Sequence, residues 1–162
     1  MEVESFADIE DEFIERVHSM VWCNFATVDG KLRPYSRILH PIWEGATGWI
    51  LTHRGSHKSK QLAANPHVSL AYIRGDVQKP VYVDCVAEWE DDRDEKRRIW
   101  DLVAATPPPL GHDPTADFVH PDHESFGLLR LTPWRIVLVT FPAPSLDAGQ
   151  RVWRSAGASR SK

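Results

Sequence analysis

Apolar residues near the start of the chain recur at three- and four-residue spacing. Phe6, Ile9, Phe13, Ile14 and Val17 share one helical face with acids between them, which predicts an amphipathic helix over 7–19. The period then shortens. VWCNFAT (21–27) is β-branched and aromatic, Asp29-Gly30 is a tight-turn signal, and LRPYSRIL (32–39) is a second extended run. Together they predict a hairpin. GWILT (48–52) is the next strand, entered through turn residues 44–48. SHKSKQLAAN (56–65) reads as a short helix with Ser56 as its cap, Leu62 and Ala63 as its apolar contact and Asn65-Pro66 as its stop.

HVSLAYI (67–73) and PVYVDCVAEWE (80–90) follow as strands. In the second, Val81, Val83, Cys85 and Ala87 alternate onto one face. DRDEKRRIWDLVAA (92–105) is helical, with Ile99, Leu102 and Val103 as its stripe. Residues 106–125, with a proline triplet and several His-Asp pairs, form a long loop. FGLLRL (126–131) and WRIVLVTF (134–141) then read as two strands flanking Thr132-Pro133. Hairpins dominate and βα alternation is absent, so the expected fold is mainly β: a curled antiparallel barrel of six to seven strands with helices over its openings. The expected organisation is one domain over 1–145 and a loosely ordered Gly/Ser/Arg-rich tail over 146–162.

With 19 basic and 23 acidic residues the formal charge is -4, which argues against nucleic acid or an anionic membrane as a partner. The acidic N-terminus is unlike a signal peptide, and no apolar run reaches 18 residues, so the expected location is the cytoplasm. Cys23 and Cys85 sit inside apolar runs and read as reduced core residues. His112, Asp113, His120, Asp122 and His123 offer mixed N/O donors, but no compact His-x-x-x-His pair, so no metal site is expected. The same loop has the length of a lid at a binding site.

Chemistry concentrates in ILTHRGSHKSKQL (50–62), a strand, a turn and a helix start carrying Ser56, His57 and Lys58. Free N–H groups and the helix dipole favour an anion there, and a phosphate is the natural guest; a solvated, capped helix is the plainer reading. Arg37 lies in an apolar strand, where an arginine rarely goes without a partner. It binds a phosphate, pairs with an acid such as Asp84, or lies on the strand's wet face.

Taken together, RPYSRIL (33–39), WILTHRGSHKSKQLAANPHVSLAYI (49–73) and VQKPVYVDCVAEW (77–89) resemble the pyridoxamine 5'-phosphate oxidase-like family of FMN-binding split barrels. The resemblance implies an FMN-dependent oxidoreductase built as a homodimer, with two FMN sites at the subunit interface and NADH or NADPH as a possible donor. It implies that Arg37 grips the flavin phosphate, that Thr52 is the hydroxyl residue before the turn, and that His57 and Lys58 face the phosphate beside the Ser56 hydroxyl read from the helix start. Gln78 matches a polar side chain approaching the flavin ring, and Trp134 and Trp153 are candidates for lining the ring. Two rivals accompany it: a reductase using the deazaflavin F420, and a non-catalytic flavin binder. No side-chain pair stands out as an acid and base. The resemblance is imperfect: HPIWE (40–44) lacks the lysine expected after the strand arginine, and Arg130-Leu131-Thr132 stands where Arg-Leu-His is expected. Both departures argue against pyridoxamine phosphate as the substrate.

Overall fold

The computed structural model describes residues 1–73 and 78–157. Its elements are α1 (Glu10–Met20), β1 (Cys23–Val28), β2 (Pro34–Leu39), β3 (Ile42–Glu44), β4 (Thr47–His53), α2 (His57–Ala64), β5 (His67–Tyr72), β6 (Val81–Glu90), α3 (Arg93–Ala105), β7 (Phe126–Val139) and β8 (Gln150–Arg154). Short 3-10 turns lie at Phe6–Asp8 and Pro114–Ala116.

The strands form one antiparallel sheet in the order β2-β1-β5-β6-β7-β4-β3, with β8 added to the far half of β7. β2 and β3 are the two ends of that path, yet only His40 and Pro41 separate them in sequence. A three-bond Cα step spans at most about 11 Å. The sheet therefore curls until its ends nearly meet. No ladder among the described residues joins them, so the barrel is split along a β2/β3 seam.

Inside the curl, Phe13 and Val17 of α1 pack with Phe25, Leu70, Val83 and Leu131, all fully buried. Phe13 stands edge-on to Phe6 and Trp43, with ring centroids 6.0 and 5.0 Å away. Polar ties fix the helix over the barrel mouth. Buried Arg16 donates to the Val139 carbonyl at 2.5 Å and to Thr140 Oγ1 at 2.9 Å. His18 Nε2 accepts the Trp43 N–H at 3.1 Å. A second apolar layer forms outside the barrel, where Ile99, Trp100 and Val103 of α3 meet Trp49, Phe126 and Leu128. Phe118, from the long loop, completes it. Cys23 and Cys85 are free and buried. Burial pushes the Cys23 thiol up to about 12 and that of Cys85 well above its ordinary range, so neither is a nucleophile.

The sheet has eight strands, more than the six to seven expected. Three differences account for this. The short β3 was not expected; Gly45, at φ 55°, makes the turn that pairs it with β4. The two strands expected around Thr132-Pro133 are one strand, β7. It passes the proline through a bulge, with Pro133 opposite Cys85, Arg135 opposite Asp84, and Trp134 facing neither. The tail expected to be loose carries β8, paired to β7 from Arg135 to Val139. Residues 158–162 of that tail lie outside the described residues.

Phe13→Ala removes the ring that links α1 to the barrel interior. It should destabilise the protein by about 3–5 kcal/mol in urea unfolding. A loss under about 1 kcal/mol would mean that α1 is not part of the cooperative core.

Candidate functional site

The inner face of β2 meets α2 at the seam end of the sheet. Alternation along β1 turns Phe25 and Thr27 inward, and Arg37 on β2 lies opposite Phe25. Its side chain reaches diagonally to Thr27 Oγ1 at 3.0 Å, and on to Gln61 Oε1 of α2 at 2.8 Å. Thr27, fully buried, donates to the same Gln61 oxygen at 2.6 Å. Arg37 thus sits on a platform of neutral oxygens. The acid considered as its partner, Asp84, is taken by Arg135 at 2.9 Å and by Ser69 at 2.8 Å.

Lys58 comes to the same place from the first turn of α2. Lys58, Gln61 and Leu62 form the buried face of that helix, as their spacing requires. Lys58 is only 7% exposed, and its ammonium donates to Ser56 Oγ at 2.8 Å. Burial, then the charge of Arg37, pulls the Lys58 pKa down. Burial lowers Arg37 as well. Neither cation has an ion pair among the described residues.

Ser56 occupies the cap position of α2 with extended backbone, but its side chain accepts no helix N–H. The expected cap bond is absent because the hydroxyl takes the Lys58 ammonium instead. Among the described residues the His57 and Lys58 backbone N–H groups have no acceptor. The result is two cations, two backbone donors and a hydroxyl at one helix start. That donor set suits a doubly charged oxyanion.

The other candidates distribute as follows. His57 is exposed at the helix start. Thr52 is buried on β4, opposite Gly127, one residue before the turn into α2. Gln78 is exposed and lies across the molecule, in a cleft shared with Arg16, Glu15 and Lys79. Trp134 is the half-buried bulge residue of β7, and its indole N–H is buried without a partner among the described residues. Within one chain, neither Gln78 nor Trp134 lines the clefts at the turn or the seam. Trp153 packs on Phe6, 5.5 Å between centroids, and against the barrel core. Arg130 is paired with Glu88 at 3.4 Å and Glu90 at 3.6 Å. In the long loop, Asp122 is held by Arg93 and Arg97, and His123 by Ser125.

Beside the cradle, the seam opens into a cleft of about 430 Å³. Ile38 and Leu39 of β2 and Leu51 of β4 form its floor, and Trp22, His40, His112 and Phe118 rise around it. Sequence reasoning missed Gln61, since only the fold sets its amide between Thr27 and Arg37. It also missed His40 and His112 as a pair, since only the fold brings them together.

Residues 9–139 match the family model described as pyridoxamine 5'-phosphate oxidase. The chain belongs to that family. No curated protein sequence matches it. Several solved structures share its fold, three of them as follows. A pyridoxamine 5'-phosphate oxidase-related, FMN-binding protein from Nostoc punctiforme is 15% identical, with a TM-score of 0.63 over 91% of this chain and 88% of its own. General stress protein 26 from Bacillus anthracis is 18% identical, with a TM-score of 0.62 over 82% and 96%. HutZ, a heme storage protein from Vibrio cholerae, is 21% identical, with a TM-score of 0.62 over 77% and 89%. These likenesses establish the fold of this pyridoxamine 5'-phosphate oxidase family member.

Lys58 makes a testable trade between stability and binding. Its folded pKa lies below the unfolded value near 10.5, so folding disfavours the charged form. That deficit is present at neutral pH and fades only as pH rises through the folded pKa toward the unfolded one. Lys58→Met should therefore stabilise the ligand-free protein by about 1 kcal/mol, or about 2–4 °C in thermal unfolding. Inorganic phosphate should raise the melting temperature of the parent and not of the variant. A variant that melts lower, with an undiminished phosphate response, would remove Lys58 from the cradle.

Proposed function

We propose that this protein binds FMN and works as an FMN-dependent oxidoreductase in a twofold homodimer. The observation that carries the reading is the pairing of Arg37 and Lys58 at a helix start without an acid to neutralise them. A phosphate monoester carries close to two negative charges at neutral pH and three acceptor oxygens. Arg37 uses two of its five N–H donors on Thr27 and Gln61, leaving the rest for those oxygens. Ser56 and the His57 and Lys58 backbone N–H groups complete the set.

The residues fit the rest of the cofactor as well. The seam cleft falls within the size range of small-ligand sites, and its aromatic and aliphatic residues suit a flat ring, with Asp113 and Asp117 also lining it. When bound, the flavin supplies hydride acceptance and return. The chain's own part is to clamp the phosphate, orient the ring and keep water from it with Trp22 and Phe118.

Assembly follows from the outer face of the sheet. Ile38 and Tyr82 lie in one cross-strand row through Asn24 and Ala71 and are 63% and 37% exposed. Trp22, 55% exposed, adds to this apolar area. In this reading a second copy covers the face, burying more than about 1,000 Å² in total. Gln78 and Trp134 then reach the ring only as Gln78 and Trp134 of the partner subunit.

Titration of apoprotein with FMN and riboflavin, followed by quenching of flavin fluorescence, tests the reading. FMN should bind far more tightly than riboflavin. Arg37→Ala should weaken FMN by about one to two orders of magnitude and leave riboflavin nearly unchanged, since charge-assisted bonds contribute about 1.5–3 kcal/mol each. Equal weakening of both ligands would make Arg37 a support of the fold. The mass of the chromophore released from purified protein separates FMN from F420 and from haem. Turnover with NADH or NADPH separates an enzyme from a binder.

Sedimentation of dilute apoprotein should give a dimer. A monomer that nonetheless takes up one FMN per chain would overturn the shared-site arrangement.

A further inference from the structure

The seam cleft contains a stack of three rings. Trp22 lies against His40 with centroids 4.8 Å apart, and His40 against His112 at 5.2 Å. The planes are tilted by 43° and 36°. His40 Nε2 and His112 Nδ1 are both buried and have no hydrogen-bond partner among the described residues. An unsatisfied buried polar atom costs about 1–3 kcal/mol, so two in one cleft call for an occupant.

The backbone goes to some trouble to assemble this stack. Trp22 is delivered by a γ-turn at Val21, with φ 66°, ψ -60° and Trp22 N–H donating to the Met20 carbonyl at 2.8 Å. That conformation is strained for any side chain and more so for a β-branched one. His112 is delivered from the opposite side by Gly111, which runs so close to the end of α3 that a Cβ would lie 1.8 Å from the Thr106 carbonyl oxygen. His40 is one of the two residues that cross the seam. Three separate segments thus converge, two of them through positions where the backbone is constrained.

The chemistry of the two nitrogens defines the occupant. Burial lowers the His40 pKa and so favours the neutral ring, and with its proton on Nδ1 that ring offers a lone pair at the unpartnered Nε2. Nε2 must therefore accept, and the ligand must bring an N–H or O–H. His112 Nδ1 can carry a proton and donate beside it. Among the described residues no third His, Cys, Asp or Glu joins them as a metal-ligand set. The apolar walls, Ile38, Leu51 and Phe118, favour a flat ring.

We propose that His40 and His112 read the hydrogen-bonding edge of the ring held in the seam cleft: His40 Nε2 accepts a ring N–H while His112 Nδ1 donates to an adjacent carbonyl. The proposal rests on the flavin reading, because the pyrimidine edge of an isoalloxazine carries an N–H at position 3 flanked by two carbonyls. It goes further by assigning that edge to two side chains of this chain, on β2's exit and in the long loop.

Lumiflavin and 3-methyllumiflavin test it. Both lack the phosphate and the ribityl chain, and they differ only in whether N3 can donate. Flavin fluorescence and Trp22 quenching should show the parent protein binding lumiflavin about tenfold more tightly than its 3-methyl analogue, the size of one lost hydrogen bond. His40→Phe keeps the stack and removes the lone pair; it should bind both rings alike, with lumiflavin weakened about tenfold. Because the discrimination is measured on the parent protein, it stands even if the variant fails to fold. If the parent binds both rings equally while FMN still binds with its Arg37 dependence, the edge-reading role is wrong and the flavin reading survives. If FMN and both rings all fail to bind, the two fall together.

Discussion

Two residues, His40 and Pro41, connect strands that lie at opposite ends of the sheet path, and that short link is the constraint from which the site follows. A chain so short cannot span an open sheet of seven strands side by side, since neighbours are spaced about 4.8 Å apart. The sheet has to curl, and α1 covers the mouth of the curl with Phe13 and Val17 packed into its core. The seam then brings β2 beside β4, with Leu39 and Leu51 facing one cleft although four strands lie between them in the hydrogen-bonded order. Pro41 has no N–H to offer and so does not extend a ladder across the gap. The barrel is left open where the polar chemistry sits.

The cradle depends on how its cations are supported. A carboxylate beside Arg37 would give a more stable ligand-free protein and cancel the charge an anion needs. Thr27 and Gln61 instead orient the guanidinium with neutral oxygens. Lys58 is buried and held by a hydroxyl, and that burial lowers its pKa, so folding disfavours its charged form. Elsewhere the chain does pair its charges. Arg98 bridges Glu44 and Glu95, Arg135 takes Asp84, and Arg130 takes Glu88 and Glu90. The contrast marks the Arg37–Lys58 pair as a place where stability is given up.

The parts of the fold that were legible in the sequence are those with a clean period. The β1–β2 hairpin, the three helices and the alternating β6 could be read from local pattern and turn residues. β3 could not, because three residues carry no period, and β8 could not, because QRVWR is half-buried throughout and looks like a polar tail. β7 was cut in two at Pro133, since nothing local announces a bulge that absorbs a proline. The site divides in the same way. Arg37 and Lys58 stand out locally, as a charge in an apolar strand and a cation at a helix start, and the structure brings them together. Gln61 and the His40–His112 stack are invisible locally, because each residue is ordinary until the curl and the Gly111 turn supply its neighbour. Gln78 and Trp134 were grouped with the cradle through resemblance alone, and one chain by itself does not bring them there.

The two ends of the site run on different physics. At the cradle the selecting force is charge, which tolerates small displacements and falls off slowly with distance. At the seam it is a pair of buried histidine ring nitrogens beside a cleft, where a hydrogen bond is strong only at the correct length and angle. In the proposed reading, affinity therefore resides at the phosphate end and selectivity at the ring end. The position expected to carry a second anion-binding pair points the same way. Arg130 is already neutralised by two glutamates, and Thr132 stands exposed beside it. A substrate bringing its own phosphate would find no free cation there, so in the proposed reading the reacting partner is one recognised by its ring and its hydrogen-bonding edge.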